Sequence, residues 1–313
     1  MRVISQRSLG GPEVLEVREV PEAERPGPGP GEVLVRVRAT GVNPADWKVR
    51  SGHVQWFGAP PFVLGHEFSG EVAATGAGAD AFGVGDEVFG WVIPPRGSHA
   101  DYVVVPETSL AAKPDAVDHV QAAALPIAGL TAWQALVNIA QVQAGQRVLV
   151  HGAAGGVGHL AVQIAKARGA YVIGTAREEK HAFVRSLGAD ELIDYTVTDF
   201  AAAVRDIDVV VDTVSNDYGP RSLATMNPGG ILIDVVGVGI DRTAVTAQAE
   251  REGKRFVEFY LEPTPADLSG LADLVRKGGL RPEIQEVLPL NEAAKAHELS
   301  ETGRVRGKVV LVP

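Results

Sequence analysis

The stretch His151-Gly152-Ala153-Ala154-Gly155-Gly156-Val157-Gly158 decides how this chain folds. It follows the apolar run 147–150, which is typical of a short buried strand, and it leads into the helical pattern of residues 157–166. Residues 156–161 read Gly-x-Gly-x-x-Ala, a spacing that permits a tight strand-to-helix turn and a close backbone approach to a pyrophosphate. The alternative is a glycine-rich turn without a ligand, and the strand–turn–helix context disfavours it. The loop therefore predicts a dinucleotide site at a helix N-terminus, formed by Ala154, Gly155, Gly156 and Val157.

The end of the next predicted strand, Thr175-Ala176-Arg177, indicates which dinucleotide binds. A site selective for NAD carries Asp or Glu at this place, where the carboxylate binds the ribose 2′-hydroxyl. Here Arg177 and, one turn later, Lys180 would attract a 2′-phosphate instead. Thr175, Arg177 and Lys180 therefore predict NADPH as the cofactor. Glu178 and Glu179 support the alternative that these cations are only solvated charges at the start of a helix.

The pattern of apolar residues divides the chain into regions of different architecture. Short β-branched runs with period-two alternation fill the first third and predict a twisted, partly barrel-shaped antiparallel sheet. From about residue 120, predicted strands alternate with helices, which is typical of a doubly wound parallel sheet, so the fold class is α/β. We expect the tail, with a helix near 265–277 and a strand at 308–312, to return to the first domain. The other predicted strands are residues 14–17, 32–37, 70–73, 86–90, 147–151, 170–175, 191–194, 208–212, 230–235 and 255–261.

Composition excludes several classes of protein. A chain of 313 residues fits two domains, and a formal net charge of −10 argues against nucleic acid as the main partner. Because there is no Cys, neither a disulfide nor a thiolate zinc site can form. Residues 1–7 lack the apolar core of a signal peptide. We therefore expect a cytoplasmic protein that acts on a small molecule.

The apolar stretch 122–140 is the longest in the chain and is therefore the candidate for a membrane span. Pro126 and Gly129 interrupt it, so it falls short of the roughly 20 apolar residues of a membrane span. We predict instead one helix, buried where two domains meet, and no membrane partner.

Seven blocks carry a resemblance to a known family. They are Gly41-Val42-Asn43-Pro44-Ala45-Asp46, Leu64-Gly65-His66-Glu67-Phe68-Ser69-Gly70, Val84-Gly85-Asp86-Glu87-Val88, Gly129-Leu130-Thr131-Ala132-Trp133, the loop 153–158, Leu187-Gly188-Ala189-Asp190, and Gly303-Arg304-Val305-Arg306-Gly307-Lys308-Val309-Val310. In this order they span essentially the whole chain. The chain resembles the medium-chain dehydrogenase/reductase superfamily, in its zinc-independent quinone oxidoreductase-like branch, which includes enone and enoyl reductases.

The resemblance implies a GroES-like catalytic domain in two pieces, residues 1–120 and 263–313, around a Rossmann NADPH-binding domain at 121–262. It also implies a cleft between them in which the nicotinamide meets the substrate. Beyond the glycine loop, it implies further cofactor contacts. Lys180 and Tyr195 resemble the clamp on the adenosine phosphate, and Thr131 resembles a contact on the nicotinamide side. Val236, Gly237 and Val238 resemble the loop that runs past the nicotinamide. Arg304 or Lys308 resembles a contact from the tail.

The pair His66-Glu67 raises the question of zinc, because it matches the Gly-His-Glu motif of zinc alcohol dehydrogenases. A catalytic zinc needs three protein ligands and an open position. The places that correspond to the other ligands hold Asn43 and the region around Ile127-Ala128, and neither is a credible ligand. We therefore predict no metal, with His66 as a buried, hydrogen-bonded histidine.

The resemblance also implies the reaction. Zinc-free members transfer a hydride from NADPH to an electron-poor carbon of a quinone or an enone, while the protein orients the reactants and stabilises the oxygen that becomes anionic. Asn43, Asp46 and Lys48 are the candidate catalytic residues. Asn43 would bind the ribose or a substrate oxygen, Lys48 would polarise a carbonyl or donate a proton, and Asp46 would orient Lys48 or support the nicotinamide side. The alternative for Lys48 is a surface lysine on a short helix.

Two other functions stay open at this point. One is an alcohol or aldehyde dehydrogenase, which the lack of a metal site disfavours. The other is a non-catalytic NADPH-binding protein of the crystallin-like kind, against which the intact loop and the candidate catalytic residues argue. The apolar run 255–261 is a predicted edge strand, and we expect it to pair with a second copy in a homodimer.

Overall fold

The computed structural model describes residues 1–55, 57–237 and 240–313 of the chain. These residues form two compact units. The first unit comprises Met1–Leu130 and Pro263–Pro313, and the second comprises Thr131–Glu262. The second unit thus begins ten residues after the predicted boundary at 120, and the tail rejoins the first unit at residue 263.

The first unit is built mainly of antiparallel strands. Its strands are β1 (Arg2–Gln6), β2 (Glu16–Glu19), β3 (Glu32–Val42), β4 (Phe62–Val63), β5 (Glu67–Thr75), β6 (Glu87–Trp91), β7 (Tyr102–Pro106), β8 (Leu110–Ala112), and in the tail β15 (Ile284–Pro289) and β16 (Lys308–Val312). Its helices are α1 (Pro44–Ser51), α2 (His119–Ala123), α3 (Pro126–Trp133, which runs on into the second unit), α9 (Pro265–Arg276) and α10 (Ala293–Glu301).

The long strand β3 holds the first unit together. Its first half pairs with β7, residues 33–40 pair with β5, and its last residues pair with β16 from the tail, all antiparallel. The resulting seven-stranded sheet has the order β15-β16-β3-β5-β6-β8, with β7 attached to β3. Val33, Val35 and Val37 alternate along β3 and pack with Phe68 in the core. The antiparallel architecture predicted for the first third is confirmed.

The second unit is a parallel sheet flanked by helices. Its strands are β9 (Arg147–Val150), β10 (Tyr171–Thr175), β11 (Glu191–Ile193), β12 (Ile207–Asp212), β13 (Met226–Asp234) and β14 (Arg255–Glu258). Its helices are α4 (Gly158–Ala167), α5 (His181–Ser186), α6 (Phe200–Ala203), α7 (Tyr218–Leu223) and α8 (Thr243–Arg251), preceded by a π-helix at Gln134–Ile139.

The order of the parallel strands, β11-β10-β9-β12-β13-β14, places a topological switch point between β9 and β12. In sheets of this kind ligands bind at the carboxyl ends of the strands beside that point. Leu149, Ile173, Val210 and Leu232, one from each of four adjacent strands, are fully buried in the core. The predicted doubly wound sheet is confirmed.

The apolar stretch 122–140 does not form the single helix that we predicted. It contains the end of α2, then α3, then the π-helix at Gln134–Ile139. Pro126 begins α3 because proline has no N–H to donate to the preceding turn. Across the described ranges of the chain, no helix has both the length and the apolar character needed to cross a membrane.

Candidate functional site

A buried polar cluster in the first unit gathers residues from both ends of the chain. The Lys308 ammonium, on β16, donates to Val42 O at 3.1 Å, to Asn43 Oδ1 at 2.5 Å and to Glu67 Oε1 at 2.6 Å. Asn43 Nδ2 donates to the same Glu67 oxygen at 2.8 Å, and the Ile127 N–H donates to Glu67 Oε2 at 2.7 Å. The side chains of Lys308 and Glu67 are only 3% and 0% exposed. All three hydrogens of the ammonium are therefore engaged inside this unit.

Asp46 forms a second buried centre beside the first. It lies in the first turn of α1, and its Oδ2 accepts the N–H of Asn43 at 2.7 Å, which fixes the start of the helix. Its Oδ1 accepts the N–H of Gly65 at 3.1 Å and lies 2.6 Å from His66 Nδ1. Burial raises the pKa of Asp46, but the charge and hydrogen bond of His66 outweigh burial and hold the pKa well below its usual range. Asp46 is thus an ionised carboxylate that binds three N–H groups.

Two more histidines lie in the same interior. His99 and His297 are fully buried, and their rings meet edge to face with centroids 5.7 Å apart. Burial lowers the pKa of His99, and it lowers the pKa of His297 to about 3, so both rings are neutral at neutral pH. The Arg50 guanidinium lies against His297 Nδ1 at 3.2 Å and forms an ion pair with Glu301. His66 is the histidine of this interior that reaches the surface, with a side chain 13% exposed.

Lys48 follows Asp46 by two residues on α1 and is half-buried. Its ammonium lies 6.0 Å from the ring centroid of Trp47. The structure therefore places the three predicted catalytic residues on one short segment, with Asn43 and Asp46 buried and Lys48 nearer the surface. Their catalytic roles stay predictions.

The glycine loop of the second unit has the geometry of an anion site. It leaves β9 and turns tightly, with the Gly155 N–H donating to Gly152 O at 2.8 Å, and it ends where α4 begins at Gly158. A Cβ on Gly158 would overlap the Gly152 carbonyl, so the close approach of helix and turn requires glycine there. Within the described part of the chain, the N–H groups of Ala154, Gly156 and Val157 donate to no acceptor.

These free N–H groups precede a ten-residue helix at the switch point of the sheet, and such an arrangement binds phosphate. The loop therefore fits the pyrophosphate of a nicotinamide dinucleotide. Thr175 supports the turn from β10, because its Oγ1 accepts the Gly152 N–H at 3.3 Å and lies 3.2 Å from His151 Nδ1.

The residues predicted to hold the adenosine phosphate lie at the ends of β10 and β11. Arg177 Nε donates to Tyr195 Oη at 3.3 Å, and Tyr195 is 40% exposed. They stand beside a surface depression of about 420 Å³ lined by Arg177, Glu178, Glu179, Asp194 and Thr196. The Asp194 carboxylate is occupied by Thr196 and by the Glu178 N–H. Lys180 is half-buried at the end of the same turn.

A buried arginine organises the segment after β13, which holds the predicted nicotinamide-side loop. Arg242 Nε donates to Asp234 Oδ2 at 2.8 Å, and its other nitrogens donate to Gly237 O at 2.5 Å and to Glu258 Oε1 at 2.9 Å. The Val236 N–H donates to Asp234 Oδ1 at 2.9 Å. Val236 and Gly237 are therefore anchored to the sheet through Asp234, whereas Val238 lies outside the described residues.

Asp212, at the end of β12, adjoins this network. Its Oδ1 accepts the N–H groups of Val214 and Ser215, and Ser215 Oγ donates to Asp234. Its Oδ2 is buried and has no partner among the described residues. Burial raises the pKa of Asp212 to about 6, and the nearby Asp234 charge adds to the shift.

The remaining predicted cofactor residues occupy different environments. Thr131, in α3, is buried at the first position of the second unit. In the tail, Arg304 is exposed and Lys308 is buried in the cluster with Glu67. Whether these residues contact the cofactor stays a prediction.

The donor set does not fit a catalytic zinc. In this cluster, His66 is the residue with an imidazole edge at the surface that could face a metal. Asn43 Oδ1 already accepts a hydrogen bond from the Lys308 ammonium, and the Glu67 carboxylate already accepts three N–H groups, so neither is available as a ligand. Elsewhere in the described ranges, Glu71, Glu87 and His119 form one group with metal-ligand spacing. Their atoms already pair with Arg38, Lys113 and Ser69.

Sequence reasoning missed two features of the site. The Gly-His-Glu motif gives no sign that the Glu67 carboxylate joins Asn43 to Lys308. Arg242 carried no sequence signal, because its partners are brought to it by the ends of β13 and β14.

Comparison with known proteins agrees with this geometry. Residues 29–115 match the family described as alcohol dehydrogenase GroES-like domain, and residues 187–311 match the one described as zinc-binding dehydrogenase. The chain is 38% identical over 325 positions to a quinone oxidoreductase of Pseudomonas aeruginosa, with 98% of each chain covered.

Solved structures resemble the whole chain. The quinone oxidoreductase from Coxiella burnetii has a TM-score of 0.92 at 36% identity and covers 100% of this chain and 99% of its own. An NAD-dependent alcohol dehydrogenase has a TM-score of 0.91 at 36% identity, with both chains covered fully. The Escherichia coli quinone oxidoreductase complexed with NADPH has a TM-score of 0.88 at 27% identity, again over both full chains. The protein is an oxidoreductase of the medium-chain dehydrogenase/reductase superfamily and belongs to its zinc-independent, quinone oxidoreductase-like branch.

Proposed function

We propose that this protein uses NADPH to reduce quinones or α,β-unsaturated carbonyl compounds. The observation that carries the proposal is the glycine loop, whose three unengaged N–H groups precede α4, together with the Arg177–Tyr195 pair at the end of β10. Quinone oxidoreductases at 36% to 38% identity over the full chain support the same reaction class.

A bound nicotinamide cofactor would supply the hydride. Ala154, Gly156 and Val157 would bind its pyrophosphate through their N–H groups. Asn43 Nδ2 has a second N–H beyond the one it donates to Glu67, and it would offer this hydrogen to the ribose or to a substrate oxygen. Lys48 would bind the substrate carbonyl oxygen and stabilise the negative charge that develops there.

The preference for NADPH over NADH rests on Arg177 and Lys180. A guanidinium and an ammonium suit the 2′-phosphate, while the Asp194 carboxylate is occupied by hydrogen bonds from Thr196 and Glu178. Replacing both cations with Ala should raise the NADPH KM by about 100-fold or more and leave the NADH KM within about twofold, since the two charge-assisted bonds together contribute roughly 3–6 kcal/mol. The exposed Arg185, on α5, gives a matched control as Arg185→Ala. An unchanged ratio of the two KM values would contradict the assignment.

The substrate class is tested by NADPH oxidation with a panel of quinones, enones, aldehydes and alcohols. We expect turnover with quinones or enones and none with simple alcohols. Turnover confined to alcohols and aldehydes would favour a dehydrogenase, and tight NADPH binding without any turnover would favour a non-catalytic role.

The exposed edge of the six-stranded sheet is suited to self-association. β14 pairs with β13 on one side only, and its two middle residues, Phe256 and Val257, are half-buried. We expect two copies to pair along β14 in a homodimer. The Phe259 N–H donates to Asp234 O on β13, so by alternation the Glu258 N–H faces the free side of β14. Glu258→Pro, which removes that donor, should convert the dimer to a monomer in sedimentation analysis. A wild-type protein that sediments as a monomer would rule out this assembly.

A further inference from the structure

The imidazole of His66 has one nitrogen committed to the interior and the other directed away from it. Nδ1 lies 2.6 Å from Asp46 Oδ1, and Asp46 is completely buried. Nε2 has no hydrogen-bond partner among the residues that the structure describes, and the side chain is 13% exposed. The ring is therefore held by its inner edge and open at its outer edge.

Asp46 determines which proton His66 carries. Its carboxylate also accepts the N–H groups of Asn43 and Gly65, and burial is outweighed by the neighbouring His66, so it is ionised. An ionised carboxylate 2.6 Å from Nδ1 requires a hydrogen on that nitrogen. In the neutral ring, Nε2 is then the basic atom, and when Nε2 is protonated the carboxylate balances the positive charge.

The other charged and titratable groups around the dyad do not compete for this role. His99 and His297 are neutral because burial lowers the pKa of each. Arg50 is paired with Glu301, and Glu67 is paired with Lys308. Among these groups, His66 combines a surface-accessible nitrogen with a buried counter-charge.

We propose that His66, oriented and balanced by Asp46, is the proton donor for the reduced substrate. This inference rests on the proposed function. It makes His66 a catalytic residue and Asp46 a positioning residue. Lys48 then serves as an electrostatic contact and not as the acid.

The reaction balances with one hydride and one proton. The hydride from the nicotinamide forms a C–H bond at the β-carbon of an enone, and the π electrons of the C=C bond move to the carbonyl oxygen. The His66 imidazolium would transfer its Nε2 proton to this enolate oxygen and become the neutral ring with its hydrogen on Nδ1. The enol would then isomerise to the saturated ketone, and His66 would take up a proton from the solvent before the next turnover. For a quinone, a carbon of the quinone ring would gain the hydride, the proton from His66 would neutralise the resulting oxyanion, and tautomerisation would give the hydroquinone. In both cases the substrate gains two electrons and the cofactor loses two.

The variant His66→Asn distinguishes the role of Nδ1 from the role of Nε2. The Asn amide can still donate to Asp46 from the place of Nδ1, but it has no group at the place of Nε2. We expect kcat for the best quinone or enone to fall by about 100-fold or more, the range of a lost general acid, with NADPH affinity unchanged. Imidazole added to His66→Gly should restore part of the rate. His53→Asn is the matched control, because His53 is an exposed histidine of the same unit bound through Nδ1 to Ser51.

A second measurement does not depend on turnover. Nitrogen NMR of the ligand-free protein should show His66 with its hydrogen on Nδ1 and a far-downfield proton in the bond to Asp46, and Asp46→Asn should abolish that signal. Thermal melting establishes that each variant is folded, and His66→Ala serves if His66→Asn is not.

Several results would overturn the inference. They are a folded His66→Asn enzyme with kcat within about threefold of wild type, a ring whose hydrogen is on Nε2, or a stoichiometric metal bound to His66 whose removal abolishes activity. If the wild-type enzyme turns over no quinone or enone, the proposed function fails and this inference fails with it. If wild type and His66→Asn reduce the substrate with the same kcat, only the assignment of His66 as the proton donor is wrong.

Discussion

The buried pair Lys308–Glu67 gives the sharpest prediction for stability. Lys308→Met keeps most of the side-chain volume but removes the charge and three hydrogen bonds from a site in which the two side chains are 3% and 0% exposed. Glu67 would keep the N–H groups of Asn43 and Ile127 but lose its counter-charge. Removing one partner of a buried ion pair costs about 3–5 kcal/mol. Because Val42 O and Asn43 Oδ1 lose donors as well, we expect about 4 kcal/mol.

The double variant Lys308→Met/Glu67→Gln isolates the cost of the uncompensated charge. With a neutral amide in place of the carboxylate, the loss should shrink to about 2 kcal/mol. Urea unfolding of each variant measures these differences. Lys295→Met is the control, since Lys295 forms an exposed pair with Glu292 whose loss should change the free energy of unfolding by less than about 0.5 kcal/mol.

A loss below about 1 kcal/mol for Lys308→Met, or a double variant no more stable than the single one, would refute this reasoning. The same protein also tests the predicted cofactor contact of Lys308. Because its three ammonium hydrogens are engaged inside the first unit, we expect the NADPH dissociation constant of a folded variant to change by less than about threefold.

Three further predictions concern the second unit. Gly158→Ala should weaken NADPH binding by about tenfold or more in fluorescence titrations, because the new Cβ overlaps Gly152 O and overpacking costs about 1–3 kcal/mol; unchanged affinity would contradict the loop assignment. The pKa of Asp212 is raised from 3.8 to about 6, so its stabilising effect is complete below the lower value and is lost as the pH rises through the upper one. Asp212→Asn should therefore remove about 3 kcal/mol of pH dependence between about pH 4 and pH 7, whereas parallel urea-unfolding profiles for the two proteins would show that the carboxylate is not the cause. Arg242→Met should lower the free energy of unfolding by about 3–5 kcal/mol, because it leaves Asp234 buried and unpaired, and a loss under about 1 kcal/mol would refute the anchoring role.

The elements that could be predicted from the sequence are those that a local residue pattern determines. The loop 151–158, the strand at 308–312 and the helix near 265–277 each carry their own periodicity or glycine spacing, and the structure has them at nearly the same bounds. The division of the 122–140 stretch could not be predicted from hydrophobicity, because a buried α-helix and a π-helix bury the same kinds of residue.

The polar contacts of the site could not be predicted for a different reason. Asp46 and His66 are 20 positions apart, and Glu67 and Lys308 are 241 apart, so that only the sheet register brings them together. The motifs 41–46 and 64–70 marked three of these four residues as special. Neither motif shows that Asp46 binds the inner edge of His66 or that the partner of Glu67 comes from the tail.

The separation of Glu67 from Lys308 also affects how the protein is made. On the ribosome, β3 and β5 emerge before the second unit, the second unit follows as one continuous segment, and β16 emerges after it. The second unit can fold as it emerges, whereas the first unit holds an uncompensated carboxylate at Glu67 until β16 has been made. The nascent chain therefore completes its parallel-sheet unit before the cluster of Lys308 and Glu67 is complete, and a nicotinamide cofactor present during translation would stabilise a chain whose first unit is unfinished.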